Sequence, residues 1–190
     1  MYPTMVVDNF FEDVDKIISL SKKLKYTSAT ETDNWPGIRT ESLHLNHYGL
    51  FRHIILKILS YYHPTAQVKY DNSLICFSRL KYGDKGKSRF HYDGDTVLAA
   101  IIYLSEGNIK TGTTLFNKDK KEQIIVGNEF NSMVSYDGSK YHGFTSLEPL
   151  KEKERLTLNV FIKDVKVNCG GNMSRHKILL ITHLRHRRYL

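Results

Sequence analysis

Cysteine is nearly absent from this chain. Only Cys76 and Cys169 are present, and neither has a second cysteine at the CxxC spacing of a zinc or redox site. Long apolar runs are also missing, since none approaches the ~18 residues needed to span a bilayer. The N-terminus lacks a basic segment followed by an apolar run, and no repeat or low-complexity segment occurs. We therefore expect a soluble, cytoplasmic protein in a reducing compartment.

The bulk composition is that of a folded domain. Hydrophobic residues make up 41% and charged residues 25% of the chain, close to globular averages, which argues against a fibrous or disordered protein. A length of 190 residues suits one domain with a real core, and is short for two.

Acidic residues are missing from the last segment, residues 166–190. This segment holds six of the net +8 charges, whereas residues 1–165 are close to neutral. We therefore predict one domain over residues 1–165 and a basic tail over 166–190. Its charges are Lys166, Arg175, Lys177, Arg185, Arg187 and Arg188.

Two amphipathic helices are predicted in the N-terminal part, residues 1–66, over Glu12 to Tyr26 and Tyr48 to Tyr62. From residue 67 the pattern changes to short runs of β-branched and aromatic residues separated by glycine, asparagine and aspartate. The predicted fold class is mainly β with N-terminal helices (α+β), a jelly roll buttressed by the helices. The predicted strands are Ser73 to Tyr82, Ser88 to Tyr92, Val97 to Leu104, Thr113 to Asn117, Gln123 to Val126, Ser132 to Tyr136 and Leu156 to Lys163.

A histidine and an aspartate two residues apart, His91 and Asp93, would point to the same face of an extended strand. Asp95 is four residues from His91 and does not fit this spacing. The best third ligand is His142, in a turn-rich stretch that leads into another strand. Two imidazoles and one carboxylate leave metal positions open, as in Fe(II) oxygenases, so we predict a metal site here.

Arg155 begins a predicted strand of alternating character. Arg155, Thr157, Asn159 and Phe161 would share one face, which can line a barrel interior. An inward arginine needs an anionic partner.

These elements, in this order and spacing, resemble the catalytic domain of the prolyl-4-hydroxylase-like Fe(II)/2-oxoglutarate oxygenases. The resemblance covers about residues 72–165 and, more loosely, the N-terminal helices. It implies a double-stranded β-helix of cupin-like type. It is carried by Leu80-Lys81-Tyr82-Gly83, the His91/Asp93 pair, Ala100 to Ser105, Gly112 to Phe116, His142 and Glu154 to Phe161.

The resemblance also implies roles for individual residues. His91, Asp93 and His142 would bind Fe(II), and Arg155 would pair with the C5 carboxylate of 2-oxoglutarate. Tyr82, Tyr103 and Thr157 would contact the same cosubstrate. The implied reaction couples conversion of 2-oxoglutarate and O2 to succinate and CO2 with C–H hydroxylation, and ascorbate is a candidate reductant. The retained Asp93 argues against a halogenase, which frees that position for chloride.

Two alternatives stay open at this point. A metal-binding cupin-like protein without oxygenase activity would show the same strands and histidines. A nucleic-acid-binding module, or an oxygenase acting on nucleic acid, would use the basic tail. The substrate is an unidentified small molecule or peptide. Tyr92 and Trp35 could line its pocket or simply pack.

Overall fold

The computed structural model describes residues 1–30, 33, 35–84, 89–117, 119–120, 123–151 and 153–168. Within these ranges the chain forms two helices and thirteen strands. The helices are α1 (Val14–Lys23) and α2 (Tyr48–Tyr62), and a short 3-10 turn covers Glu148–Leu150. The strands are β1 (Met5–Val7), β2 (Tyr26–Ser28), β3 (Ile38–Thr40), β4 (Gln67–Asp71), β5 (Leu74–Lys81), β6 (Phe90–His91), β7 (Leu98–Tyr103), β8 (Asn108–Phe116), β9 (Gln123–Asn128), β10 (Met133–Asp137), β11 (His142–Phe144), β12 (Glu154–Ile162) and β13 (Asp164–Asn168).

Both predicted helices are present. α2 has the predicted bounds, and α1 begins two residues later than expected because Asp13 caps it, its Oδ1 accepting from the Lys16 N–H at 3.2 Å. In the part of the chain that the structure describes, no helix is long and apolar enough to cross a membrane.

Two facing sheets form the body of the domain. The larger sheet has the strand order β1-β10-β7-β12-β5-β3-β2, and the smaller has the order β6-β11-β8-β9. The pairs within both sheets are antiparallel. The larger sheet has four central strands, β10, β7, β12 and β5, which equals the number of strands in the smaller sheet. Two four-stranded layers are the arrangement of a double-stranded β-helix. The predicted double-stranded β-helix, or jelly roll, is confirmed.

Strand β12 shows how this sheet separates the core from the site. Leu156, Leu158, Val160 and Ile162 belong to the main core, together with the apolar faces of α1 and α2. Because side chains alternate along a strand, Arg155, Asn159 and Phe161 point to the opposite face and line a cavity between the sheets. The helices therefore support the sheet from behind, and leave its inner face available for function.

Two details of the predicted organisation need correction. The N-terminal part, residues 1–66, is not only helical, because β1 and β2 form the two edges of the larger sheet and β3 lies next to β2. The boundary predicted between residues 165 and 166 falls inside β13, whose residues pair with β4 from Asp164 to Asn168. These strands were missed because short edge strands carry little periodicity. The rest of the predicted basic tail, residues 169–190, and with it Cys169, lies outside the described residues.

Candidate active site

The three predicted metal ligands lie together in the cavity between the two sheets. Strands β6 and β11 place His91 directly opposite His142, and Asp93 follows two residues later. The His91 and His142 Nε2 atoms lie 3.5 and 3.3 Å from the two Asp93 carboxylate oxygens, and one ligand atom from each residue lies within 4.8 Å of the others. Bonds of about 2.1 Å at right angles separate donor atoms by about 3 Å. Small adjustments would therefore let all three share one ion.

The surroundings of the two histidines suit a metal rather than a protein partner. The His142 Nδ1–H donates to the Lys140 carbonyl at 2.9 Å, which leaves the Nε2 lone pair facing Asp93. Burial lowers the pKa of His142, although the Asp93 carboxylate opposes this, so its imidazole is neutral near pH 7. Asp93 Oδ2 and His91 Nδ1 are buried, and neither has a hydrogen-bond partner within the described residues. The donor set therefore fits a divalent ion such as Fe(II).

Close backbone packing fixes the distance between the two histidine strands. A Cβ built on Gly143, the neighbour of His142, would lie 2.1 Å from the Arg89 carbonyl oxygen. Glycine is therefore required for β11 to approach β6 this closely, and the approach brings the His91 and His142 rings to 4.7 Å.

Arg155 lies in the same cavity, with a polar group that the protein itself does not satisfy. Its side chain is almost completely buried, and Nε and Nη2 have no hydrogen-bond partner within the described residues. The guanidinium carbon lies 5.3 Å from the ring of Tyr103, whose hydroxyl is 2.7 Å from Thr113 Oγ1. Burial lowers the pKa of Arg155, and nearby Tyr103 opposes this. An arginine remains charged at such a site, so an anion is needed to balance it.

Of the three other residues predicted to contact the cosubstrate, two do not line the cavity that contains Arg155. Tyr82 follows the last residue of β5, is 51% exposed, and packs against Lys151 outside this cavity, so its contact with the cosubstrate stays a prediction. Thr157 on β12 is buried opposite Tyr103 of β7, and it does not line the cavity wall. Tyr103 does adjoin Arg155. An exposed loop position and a strand position look alike when only the residue type is known.

The structure adds cavity residues that the sequence did not indicate. Tyr136 on β10 is fully buried, its ring lies 4.9 Å from that of His142, and burial raises the pKa of its hydroxyl well above the ordinary value. Thr113, on β8 of the smaller sheet, also lines the cavity. Arg39 lies on the opposite wall, formed by the larger sheet, together with Asn159, which the alternation in β12 predicted.

Structural comparison is informative where sequence comparison is not. No protein-family model matches the chain, and a search of curated proteins finds no match. A prolyl-4-hydroxylase from Pseudomonas putida superposes with a TM-score of 0.58 at 15% identity, over 84% of this chain and 91% of that one. A 2OG-Fe(II) oxygenase family protein from Burkholderia pseudomallei gives 0.64 at 12% identity, over 84% and 85%.

This chain has the fold of the 2-oxoglutarate oxygenases. A further similar structure is the epimerase SnoN from nogalamycin biosynthesis, in complex with Fe3+, alpha ketoglutarate and nogalamycin RO. It superposes with a TM-score of 0.63 at 10% identity, over 86% of this chain and 80% of that one. A 2-oxoglutarate oxygenase fold is therefore compatible with outcomes other than hydroxylation, and the reaction must be argued from the site.

Proposed function

We propose that this protein is an Fe(II)- and 2-oxoglutarate-dependent oxygenase, and that it hydroxylates its substrate. The observation that supports this most strongly is the presence, in one cavity, of the His91, Asp93 and His142 cluster and of Arg155, whose Nε and Nη2 have no hydrogen-bond partner within the described residues. The cluster suits a metal that keeps positions open, and the arginine suits the far carboxylate of a chelating dicarboxylate.

The side chains divide the work between holding the metal and positioning the cosubstrate. His91, Asp93 and His142 would hold iron on one side, and the Lys140 carbonyl keeps His142 in the tautomer that can bind it. Arg155 would form paired hydrogen bonds with the C5 carboxylate of 2-oxoglutarate, while Tyr103 orients the guanidinium. Iron bound here supplies the oxidative chemistry, in which 2-oxoglutarate, O2 and a C–H group become succinate, CO2 and C–OH.

A metal-binding cupin-like protein without oxygenase activity is less well supported. Such a protein needs the metal ligands but has no use for a buried cation in the same cavity. Leaving the two Arg155 nitrogens without partners destabilises the free protein, because unpaired buried polar groups lose their hydration. A cosubstrate carboxylate would remove this cost.

The test is succinate formation from 2-oxoglutarate and O2 with Fe(II), with and without ascorbate, alone and across a panel of candidate substrates. We expect turnover that requires Fe(II) and disappears in Asp93→Ala. Asp95→Ala is the matched control, because Asp95 is largely exposed and pairs with Lys163 at 3.1 Å. No succinate under any condition, or loss of turnover in Asp95→Ala but not in Asp93→Ala, would contradict the proposal.

A further inference from the structure

A second arginine, Arg39, lines the cavity that holds the metal ligands and Arg155. Strand β3 pairs with β5 so that Arg39 lies directly opposite Ser78, and residues opposite each other share a face of the sheet. Ser78 also lines the cavity. The pairing of β3 with β5 therefore brings a cation from the N-terminal part of the chain into the site.

The Arg39 guanidinium is held in place by aromatic rings and has no close counter-ion among the described residues. Its central carbon lies 4.7 Å from the Trp35 ring and 5.7 Å from the Phe161 ring, while Nε is buried without a hydrogen-bond partner in that part of the chain. Asp33 is near enough to interact electrostatically, but its Oδ2 already accepts from the N–H and hydroxyl of Thr30, at 2.7 Å each. The stacking orients the donors and does not neutralise them.

Arg39 and Arg155 serve different parts of the cavity. The Arg155 guanidinium lies beside Tyr103, whereas that of Arg39 lies beside Phe161, six residues further along β12. Asp93 lines the same cavity as Arg39. Asn159 lies on β12 between Arg155 and Phe161, and adds a buried Oδ1 that has no partner within the described residues. This end of the cavity thus offers donors and an acceptor.

A count of charges shows that Arg39 is left over. The two carboxylates of 2-oxoglutarate and that of Asp93 would balance Arg155 and a divalent ion, so within the described residues the cavity offers no further carboxylate to Arg39, and Asp33 acts on it only from outside the cavity. We propose that Arg39 binds an anionic group, a carboxylate or a phosphate, on the small molecule that this enzyme oxidises. That the bound molecule is oxidised rests on the proposed function, whereas the anion site itself rests on the geometry. A guanidinium suits either oxyanion, because its parallel N–H groups match two oxygens.

The probe for this site is already present in the chain. Trp35 is the only tryptophan, and it contacts the Arg39 guanidinium, so its fluorescence should report an anion bound there. Protein saturated with Ni(II) and 2-oxoglutarate is titrated with acetate and, separately, with inorganic phosphate at constant ionic strength. We expect a saturable change with at least one of them. Acetate alone would indicate a carboxylic acid substrate, phosphate alone a phosphorylated one, and both an unselective oxyanion site.

The variants separate recognition from packing. Arg39→Met should lower the affinity for the anion at least tenfold. Arg39→Lys should lower this affinity less, because lysine keeps the charge and loses the paired donors. Arg79→Met is the matched control, since Arg79 lies on the neighbouring strand, stacks on Tyr26 and does not line the cavity. Circular dichroism and thermal melting establish that each variant folds.

Three results would overturn the proposal. These are the absence of a saturable change with either anion, anion binding that Arg39→Met and Arg39→Lys leave intact, and a folded Arg39→Met protein that has lost affinity for 2-oxoglutarate itself. The last result would make Arg39 a cosubstrate residue. The affinity of the Ni(II) protein for 2-oxoglutarate is measured separately by calorimetry. Failure of the oxygenase proposal is thereby distinguished from failure of the anion site.

Discussion

Replacing Arg155 by methionine separates cosubstrate recognition from metal binding and from folding. Methionine has a similar length and can fill the space, but it cannot pair with a carboxylate. A hydrogen bond to a charged group contributes about 1.5–3 kcal/mol, so the loss of the pair should weaken 2-oxoglutarate by about 3 kcal/mol, or roughly 100-fold or more. Metal affinity should change little, since Arg155 contacts none of His91, Asp93 and His142 in the free protein.

The free variant should be no less stable than the wild type. Arg155 is buried, and its Nε and Nη2 have no hydrogen-bond partner within the described residues, so removing them relieves a desolvation cost. Added 2-oxoglutarate at 100 times the wild-type Kd should stabilise the Ni(II)-loaded wild type by about 2.7 kcal/mol, and the variant by only about 0.4 kcal/mol.

Calorimetry with the Ni(II) protein gives the affinity, and urea denaturation with and without cosubstrate gives the stabilities. Arg79→Met serves as the control, because this arginine pairs with Glu154 outside the cavity. Unchanged 2-oxoglutarate affinity in a metal-binding Arg155→Met protein would refute the assignment, and much of the case for this cosubstrate with it.

Three other changes test the site and its scaffold. His142→Ala should weaken Ni(II) binding at least tenfold by calorimetry, since it removes a ligand; retained affinity would exclude His142 from the site. Gly143→Ala should lower the free energy of unfolding by about 1–3 kcal/mol and lower the metal affinity, because the new methyl group meets the neighbouring backbone. The control is Gly49→Ala, in open space on α2, which should stabilise the protein by about 0.5–1 kcal/mol. Equal melting temperatures for the two variants would contradict this. Asp137→Asn should cost about 1–2 kcal/mol at neutral pH by urea denaturation, because Asp137 Oδ2 accepts from the Tyr2 N–H at 2.8 Å. Although burial acts to raise it, hydrogen bonds lower the pKa of Asp137 below its ordinary 3.8 in the folded state, so this stability is present above pH 3.8 and is lost as the pH falls through the lowered value; a wild-type-to-variant difference that grew on acidification would contradict it.

Local pattern was sufficient where many neighbouring residues share one environment. The alternation in β12 correctly separated the core side chains, such as Leu158, from cavity residues such as Arg155, because successive side chains on a strand must point to opposite faces. The two-residue spacing of His91 and Asp93 likewise placed both on the side that His142 approaches. The bounds of α2 followed from its apolar face.

Only the tertiary structure decided which distant residues share the cavity. Arg39 enters it because β3, a three-residue strand, pairs with β5 about forty positions later in the sequence, and no local periodicity encodes that pairing. Tyr82 lies one residue past the end of β5 and faces a different pocket in the free protein. Tyr136 reaches His142 through the packing of one sheet on the other. The sequence by itself thus determined the fold class and placed His91 and Asp93 on one face, because both depend on short-range alternation. His142 was a candidate from its turn-rich stretch, and strand pairing brings it opposite His91. The lining of the substrate side depends on long-range strand pairing, which is fixed only when the whole β-helix closes.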